Sequence, residues 1–453
     1  MNHNAQHDFE MARRIALEVE RQGGRVYFVG GYVRDQVIGR ENKDVDIEVH
    51  GLAPAQLRAI LDALGERTVM GASFGIYGLR HYDLDIAMPR LTGSRGGREF
   101  DDVVDPFCGT LKAARRRDFT INALMQDILT GEIVDHFGGL EDMKAGVIRH
   151  VAPETFIEDP LRVLRAAQFA ARLGFTVAPE TIALCRTLDL SDLAFERVME
   201  EVAKALMKAQ RPSIFFETLR EMGQLEVWFP EVHALIGVEQ EKKYHPEGDV
   251  YQHTLQVIDW AASLRSQAQY PLGLMVAALC HDFGKPETTR VIDGRIRAFG
   301  HEEAGLPVAK RFIARLSTEA RLQKYVENMV KLHMRPNALV GMKSGTNAYM
   351  KLLDLALEPD DLLLLAKADH CGRGEFGTGY EPTEKKLRDM LALYRERMAQ
   401  PAVRGEDLIA AGMKPGRRMG EALAYAHKLH LNGMNKEDAL VQTLAYMRKK
   451  NGK

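Results

Sequence analysis

The chain lacks any C-x-x-C pair: its four cysteines (Cys108, Cys185, Cys280, Cys371) are scattered through 453 residues. That spacing argues against a thiolate zinc site or a disulfide frame and fits a reducing cytoplasm. Long apolar runs are missing too. LGLMVAALC (272–280) falls well short of the ~20 residues that span a bilayer, so no membrane partner is expected. The N-terminus MNHNAQHDFEMARR has no basic-then-apolar leader pattern. Nor is there a basic excess. A formal net charge of −2 argues against extensive nonspecific nucleic-acid binding but leaves room for a local basic surface. What remains, 45% hydrophobic and 27% charged, is an ordinary globular composition, with length enough for two to four domains.

Residues 1–150 mix short strands and helices. VYFVG (26–30), VDIEV (45–49), FGIYGL (74–79) and DLDIAM (83–88) are β-branched or alternating and read as strands. AQLRAILDAL (55–64) carries helical periodicity. From Pro160 the pattern is helical. LRVLRAAQFAARL (161–173) and ERVMEEVAKALMKA (196–209) repeat apolar residues at three and four, and PSIFFETLREMG (212–223) runs from a proline to a glycine. The expected fold is α+β. A mixed-sheet head at 1–150 is followed by an all-α neck and body at 151–240, an α-helical domain rich in His and Asp at 241–385, and a helical tail at 386–453.

The stretch VGGYVRDQVIGRENKDVDIEV (29–49) carries the first chemistry. In a strand, Asp44 and Asp46 project to one face. Two adjacent carboxylates repel unless a cation lies between them, and Mg²⁺ commonly takes one or two carboxylates plus substrate phosphates. Asp85 in YDLDIAM is the candidate third carboxylate. Gly30 and Gly31 leave backbone room for phosphate oxygens, and Arg34 supplies a planar donor fork. A charged hairpin edge would also fit a lone G-G, but G-G-x-x-R-D followed by D-x-D is far more specific. In RRRDFTINALM (115–125), Arg116, Arg117 and Asp118 form a charged step before an expected helix start, with Asn122 available to a sugar or phosphate. In EDPLRVLR (158–165), Asp159 and Arg162 share a helix face, with Arg165 one turn on; by spacing alone this is an ordinary surface ion pair.

These three blocks, in this order, resemble the class II tRNA nucleotidyltransferase and bacterial poly(A) polymerase family from about residue 26 to 230. The family resembles DNA polymerase beta in its catalytic sheet. The resemblance implies that Asp44, Asp46 and Asp85 are catalytic, with Asp44 and Asp46 holding Mg²⁺. It implies that Gly30, Gly31, Arg34, Arg116, Arg117, Asp118 and Asn122 bind the nucleotide. Asp159, Arg162 and Arg165 would form a protein template reading the base edge.

A second set comprises HPEGDVYQHTLQVIDWA (245–261), LCHDFGKP (279–286), GHEEAG (300–305), LHMRP (332–336) and KADHCGRG (367–374). An apolar helix runs directly into His281–Asp282, placing imidazole and carboxylate together at a buried helix end. The set looks like the HD phosphohydrolase family, with His253, His281, Asp282 and Asp369 as ligands. His301 and His333 fall where two-metal members add ligands, and Lys285 stands ready for a phosphate. The resemblance implies a divalent transition metal here, with its identity left open.

Together the resemblances imply a cytoplasmic enzyme that adds C, C and A to the tRNA 3′ end from CTP and ATP. Its HD domain would hydrolyse phosphate esters such as 2′,3′-cyclic phosphates. Poly(A) polymerase is the near alternative, though its relatives usually carry a strongly basic extension. Partial CC- or A-adding enzymes are another, since the polar loop expected between Arg90 and Lys112 starts Arg-Leu-Thr where relatives commonly have Arg-Thr-Glu. An HD hydrolase with a regulatory nucleotide-binding head is a third, different in class. The residues leave monomer and homodimer open.

Overall fold

The computed structural model describes residues 3–40, 45–71, 76–93 and 101–451. Asp44 and residues 94–100 of the polar segment lie outside the described residues. The chain divides into two compact units, Met1–Leu193 with Ile214–Gln224, and Ala194–Ser213 with Leu225–Lys453.

In the first unit, nine strands precede residue 135 among the described residues: β1 (Arg25–Val29), β2 (Val45–His50), β3 (Arg67–Gly71), β4 (Ile76–Leu79), β5 (Leu84–Ala87), β6 (Arg90–Gly93), β7 (Asp101–Val104), β8 (Met125–Asp127) and β9 (Ile133–Val134). Seven form one mixed sheet in the order β3-β4-β5-β2-β1-β8-β9. Among the described residues β2 pairs parallel with β5 and the sheet's other pairings are antiparallel. The period of two sorts β2 cleanly. Val45, Ile47 and Val49 are buried on the face opposite Asp46, Glu48 and His50. Helices α1 (His3–Arg21) and α3 (Pro54–Leu64) pack together, α1 also against β1 and β2. Strand β1 leads through Gly30 into α2 (Gly31–Val37).

The segment expected as a polar loop contains an antiparallel ribbon, β6–β7, with Arg90 opposite Val104, followed by helix α4 (Gly109–Arg115). A second correction concerns Arg116 and Arg117. They follow the end of α4 rather than opening a helix, and beyond them the chain makes one 3₁₀ turn (Thr120–Asn122) and enters β8. The short apolar run could not tell helix from strand. A helix C-terminus attracts cations, so the clustered arginines need no bound anion to excuse them. The apolar repeat at 161–173 forms the helix Leu161–Leu173.

The second unit is mostly helical. The helix Pro271–Cys280, buried from Gly273 to its end, packs against Val250–Leu264, Ala320–Leu332 and Pro359–Cys371. His301–Leu316 packs on Ala320–Leu332. A small antiparallel hairpin, Arg290–Ile292 with Arg295–Arg297, turns through Asp293 and Gly294, both at positive φ. Asp-Gly is a favoured pair for so tight a reversal. The helices Glu381–Ala399, Arg417–Leu431 and Lys436–Asn451 follow. Among the described residues no helix is long and apolar enough to cross a membrane.

Candidate active sites

Parallel pairing of β2 with β5 places Asp46 opposite Asp85. Both line a cleft of about 370 Å³ together with Glu48, Arg90, Arg116 and Arg117. Three carboxylates and three guanidiniums thus meet on the polar face of the sheet. Glu48, which sequence reasoning missed, is buried; it accepts from Arg117 Nη2 at 3.2 Å and pairs with His50 Nε2 at 2.8 Å. Burial alone would raise its pKa; the bonds and charges of His50 and Arg117 outweigh that and hold it below the usual carboxylate range. The available signal was its position two residues after Asp46. Gly30 has φ 66°, and a Cβ there would stand 3.4 Å from Arg117 Nη1 and 3.8 Å from an Asp46 oxygen. The glycine therefore lets the chain leave β1 directly beside the acidic and basic groups. Facing carboxylates in an open cleft lined by arginines fit a divalent cation.

Arg34 lies elsewhere in the unit. Its side chain is 3% exposed. It donates to Asp35 Oδ1 and to Asn122 Oδ1, each at 2.8 Å. Asn122 donates in turn to Asp118 at 3.0 Å, and Arg165 Nε donates to the other Asp118 oxygen at 2.8 Å. The two guanidiniums lie over one Phe169 ring, at 5.0 and 5.3 Å. For Asp118, burial pushes up, but Arg165 and Asn122 prevail and lower its pKa. The network ties together the G-G-x-x-R-D, R-R-D and E-D-P-x-R blocks. Asp159 sits in the turn before the helix, its carboxylate accepting the Leu161 N–H at 3.2 Å. Arg162 donates to the Arg116 carbonyl at 2.7 Å and to the Thr155 carbonyl. It thereby binds the Asp159 turn to the arginine step.

In the second unit all six His and Asp candidates converge, and all are buried. His253 lies in the helix Val250–Leu264, and His281–Asp282 follow the apolar helix Pro271–Cys280. His301 opens the helix His301–Leu316, His333 follows Ala320–Leu332, and Asp369 lies near the end of Pro359–Cys371. His253 Nε2 is 3.1 Å from Asp369 Oδ1; Asp282 Oδ2 is 3.1 Å from His281 Nε2, and Oδ1 is 3.4 Å from His301 Nε2. The donors form two triads, His253–His281–Asp369 and Asp282–His301–His333.

The outer atoms explain the orientation. Nδ1 of His281, His301 and His333 meets the carbonyl of Ala278, Ala298 and Val330 at 2.7, 2.8 and 2.7 Å. Nδ1 of His253 meets Glu247 Oε1 at 2.8 Å. An Nδ1–H so engaged leaves each Nε2 as a lone pair aimed inward. The Nε2 atoms of His301 and His333 then face each other at 3.3 Å, an arrangement that a metal ion between them, or a proton shared by them, would satisfy. Burial, helped by the His281 and His301 charges, pushes His333 down to about 3, so it is neutral, as a ligand must be. Asp282 and Asp369, which burial alone would raise, are held well below the usual range, Asp282 by His281 and Lys285, Asp369 by Arg373 and His253. Lys285 Nζ lies 2.7 Å from Asp282. A side chain at Gly284 would collide with the His301 carbonyl and the Gly305 N–H, so glycine allows the His281–Asp282 turn to meet the His301 helix. The donors fit divalent metal, which His253, His281, Asp282, His301, His333 and Asp369 would hold. Sequence reasoning missed Glu247, six residues before its partner in an irregular stretch.

Family comparisons agree with this division of chemistry. The family model of the poly A polymerase head domain matches residues 26–149. The probable RNA- and SrmB-binding site of polymerase A matches 174–236, and the HD domain matches 250–374. A multifunctional CCA protein of Pasteurella multocida is 37% identical over 408 residues, 86% of this chain and 92% of that protein. One of Stenotrophomonas maltophilia is 37% identical over 417 residues, 89% and 98% of the two chains. A crystal structure of the Bacillus stearothermophilus CCA-adding enzyme in complex with CTP superposes with a TM-score of 0.70 at 22% identity, covering 100% of both chains. That likeness speaks for the fold. Near-full-length similarity to CCA proteins, rather than to the polymerase head alone, decides against the poly(A) reading. The chain belongs to the multifunctional CCA protein family, nucleotidyltransferases that depend on divalent metal and carry an HD domain.

Proposed function

We propose that the first unit extends the 3′ end of tRNA by C, C and A, taking CTP and ATP. The carrying observation is the Asp46–Asp85 pair set against Arg116 and Arg117 in one cleft. Asp46 and Asp85, with Asp44 of the same strand motif, hold Mg²⁺, which when bound activates the attacking 3′-hydroxyl and neutralises phosphate charge. Arg116 and Arg117 meet the triphosphate oxygens, and Glu48 keeps Arg117 aimed at them. Gly30 and Gly31 keep the approach to the phosphates clear of side chains. Arg34, Asn122, Asp118 and Arg165 form the floor that fixes the arginine step. Asp159 and Arg162 read the base edge, from a turn that Arg162 itself anchors.

The second unit, in this proposal, hydrolyses phosphate esters, including the 2′,3′-cyclic phosphate that blocks extension of a tRNA end. Its His/Asp cluster holds a transition-metal pair, and Lys285 receives the phosphate. We assign transfer to residues 1–150, templating and RNA contact to 151–240, hydrolysis to 241–385 and a helical tail to 386–453; the matches at 26–149, 174–236 and 250–374 support this. Action on tRNA suits the cytoplasm.

The test uses tRNA transcripts ending before CCA, after C and after CC, each with Mg²⁺ and labelled CTP or ATP. Completion to CCA and no further, lost in Asp46→Ala, is expected. Long A tails or arrest after CC would overturn the assignment.

A further inference from the structure

The HD cluster lies at the bottom of a pocket far too large for a phosphate alone. Asp282, His301 and Asp369 line it, and its volume is about 420 Å³. A phosphate group has the bulk of a few waters, about 30 Å³ each; this pocket is in the range that takes an organic ligand. Two aromatic rings line it, Phe299, 68% exposed, and Tyr244, 52% exposed. Rings so exposed contribute little to a core, and each already carries a cation. Arg297 lies over Phe299 at 5.3 Å, and Lys243 over Tyr244 at 5.6 Å. The lining also holds Lys285, Arg295, Arg297 and Arg373. Arg295 and Arg297 stand on the hairpin that turns at Asp293–Gly294, a compact carrier for them.

Cationic groups above a metal-ligand cluster and π-faces at the mouth match a nucleoside phosphate. We propose that Phe299 and Tyr244 are the base-stacking residues of the HD site, holding the base of the nucleoside whose phosphate ester the site is proposed to hydrolyse, whether that nucleoside ends an RNA or stands in a free mononucleotide. Arg297 fixes the Phe299 ring, while Arg295 and Arg373 attract the ester from the pocket side. Stacking distinguishes bases weakly, so the site accepts any of the four. This rests on reading the cluster as a phosphohydrolase centre.

The test compares hydrolysis of adenosine 2′,3′-cyclic phosphate with that of base-free glycerol 1,2-cyclic phosphate by the full chain. In Phe299→Ala the ratio of the two kcat/KM values should fall roughly 5- to 100-fold, the range carried by one base–aromatic stack, and Phe299→Trp should restore it. Calorimetric binding of adenosine 3′-monophosphate, with CTP present to fill the head, should weaken in parallel. An unchanged ratio in an active enzyme overturns the stacking assignment alone. If the wild type hydrolyses neither ester, the phosphohydrolase reading falls, and binding decides: equal affinity of wild type and Phe299→Ala then overturns the stacking assignment too. An RNA ending in the same cyclic phosphate separates the two sources. A lower KM than the mononucleotide's assigns the pocket to RNA ends; an equal or higher one assigns it to free nucleotides.

Discussion

Glu247→Gln isolates the part of the HD centre that never touches the reaction. Glu247 is almost fully buried and accepts from Nδ1 of both His253, at 2.8 Å, and His245, at 2.9 Å. Burial alone would raise its pKa, but these two bonds bring it down to about 2, so it is ionised at neutral pH. Its charge makes the His253 imidazole more basic and fixes the tautomer with Nε2 free. Glutamine keeps the shape but offers a neutral acceptor, whose bond is roughly half as strong. If its amide turns over, an N–H faces Nδ1 and the ring must protonate Nε2 instead, which removes a ligand. Outer-shell partners of this kind are worth about 10- to 100-fold in metal affinity, or about 1.4–2.8 kcal/mol. The assay is calorimetric titration of the metal-stripped full chain with Mn²⁺ or Zn²⁺, alongside CTP incorporation. Affinity should fall by that factor while incorporation persists, since Glu247 belongs to the other unit. Unchanged metal affinity in a folded Glu247→Gln would refute the tautomer argument.

Gly30→Ala forces a β-carbon onto a residue at φ 66°, ψ −131° beside Arg117. It should cost about 1–3 kcal/mol, read by calorimetry, and should raise KM for CTP; a silent substitution would mean the backbone there is not constrained. Asp118→Asn tests the buried network by pH. The folded carboxyl is depressed, so its contribution is complete above the unfolded pKa of about 3.9 and is lost as pH falls through the lower folded value. At neutral pH the variant should lose about 1–3 kcal/mol, and its acid limb should be flatter than the wild type's. Parallel acid limbs would show that Asp118 gains nothing from its charge.

Much of this was legible because it depends on local periodicity. The face shared by residues two apart in β2 follows from strand geometry, and the helix Leu161–Leu173 follows from apolar spacing. The convergence of His253, His281, Asp282, His301, His333 and Asp369 could be anticipated because each sits at or near a helix end. What was not legible depends on tertiary partners. Arg34 reads as a planar donor fork for a phosphate, and the sequence does not show that Asp35, Asn122 and Phe169 enclose it. Arg162 reads as the partner of Asp159, yet it reaches the Arg116 carbonyl 46 residues away. Glu48 and Glu247 read as ordinary acids until Arg117, His50, His245 and His253 are brought to them. The β6–β7 ribbon was hidden because Gly and Arg dominate its connecting residues and mask a short strand signal.

The two acidic sites differ most in burial, and burial decides how each can hold a metal. Asp46 is half-buried and Asp85 exposed, so their charges are hydrated and need no ion for the unit to fold. A cation there gains much of its coordination from incoming phosphates, which suits an ion that arrives with each nucleotide. The HD centre is the reverse. Six candidate ligands are buried, every imidazole among them meets an acceptor through Nδ1, and two Nε2 atoms face each other at 3.3 Å. Without a metal, that geometry leaves the buried carboxylates to Lys285, Arg373 and the imidazoles and confines facing imidazole nitrogens in a low-dielectric interior, which is costly. Metal binding there is therefore coupled to the stability of the helices that carry the ligands. Exchange with each turnover suits the head, whereas residence suits the HD centre, and the outer hydrogen bonds to Glu247, Ala278, Ala298 and Val330 are what residence requires.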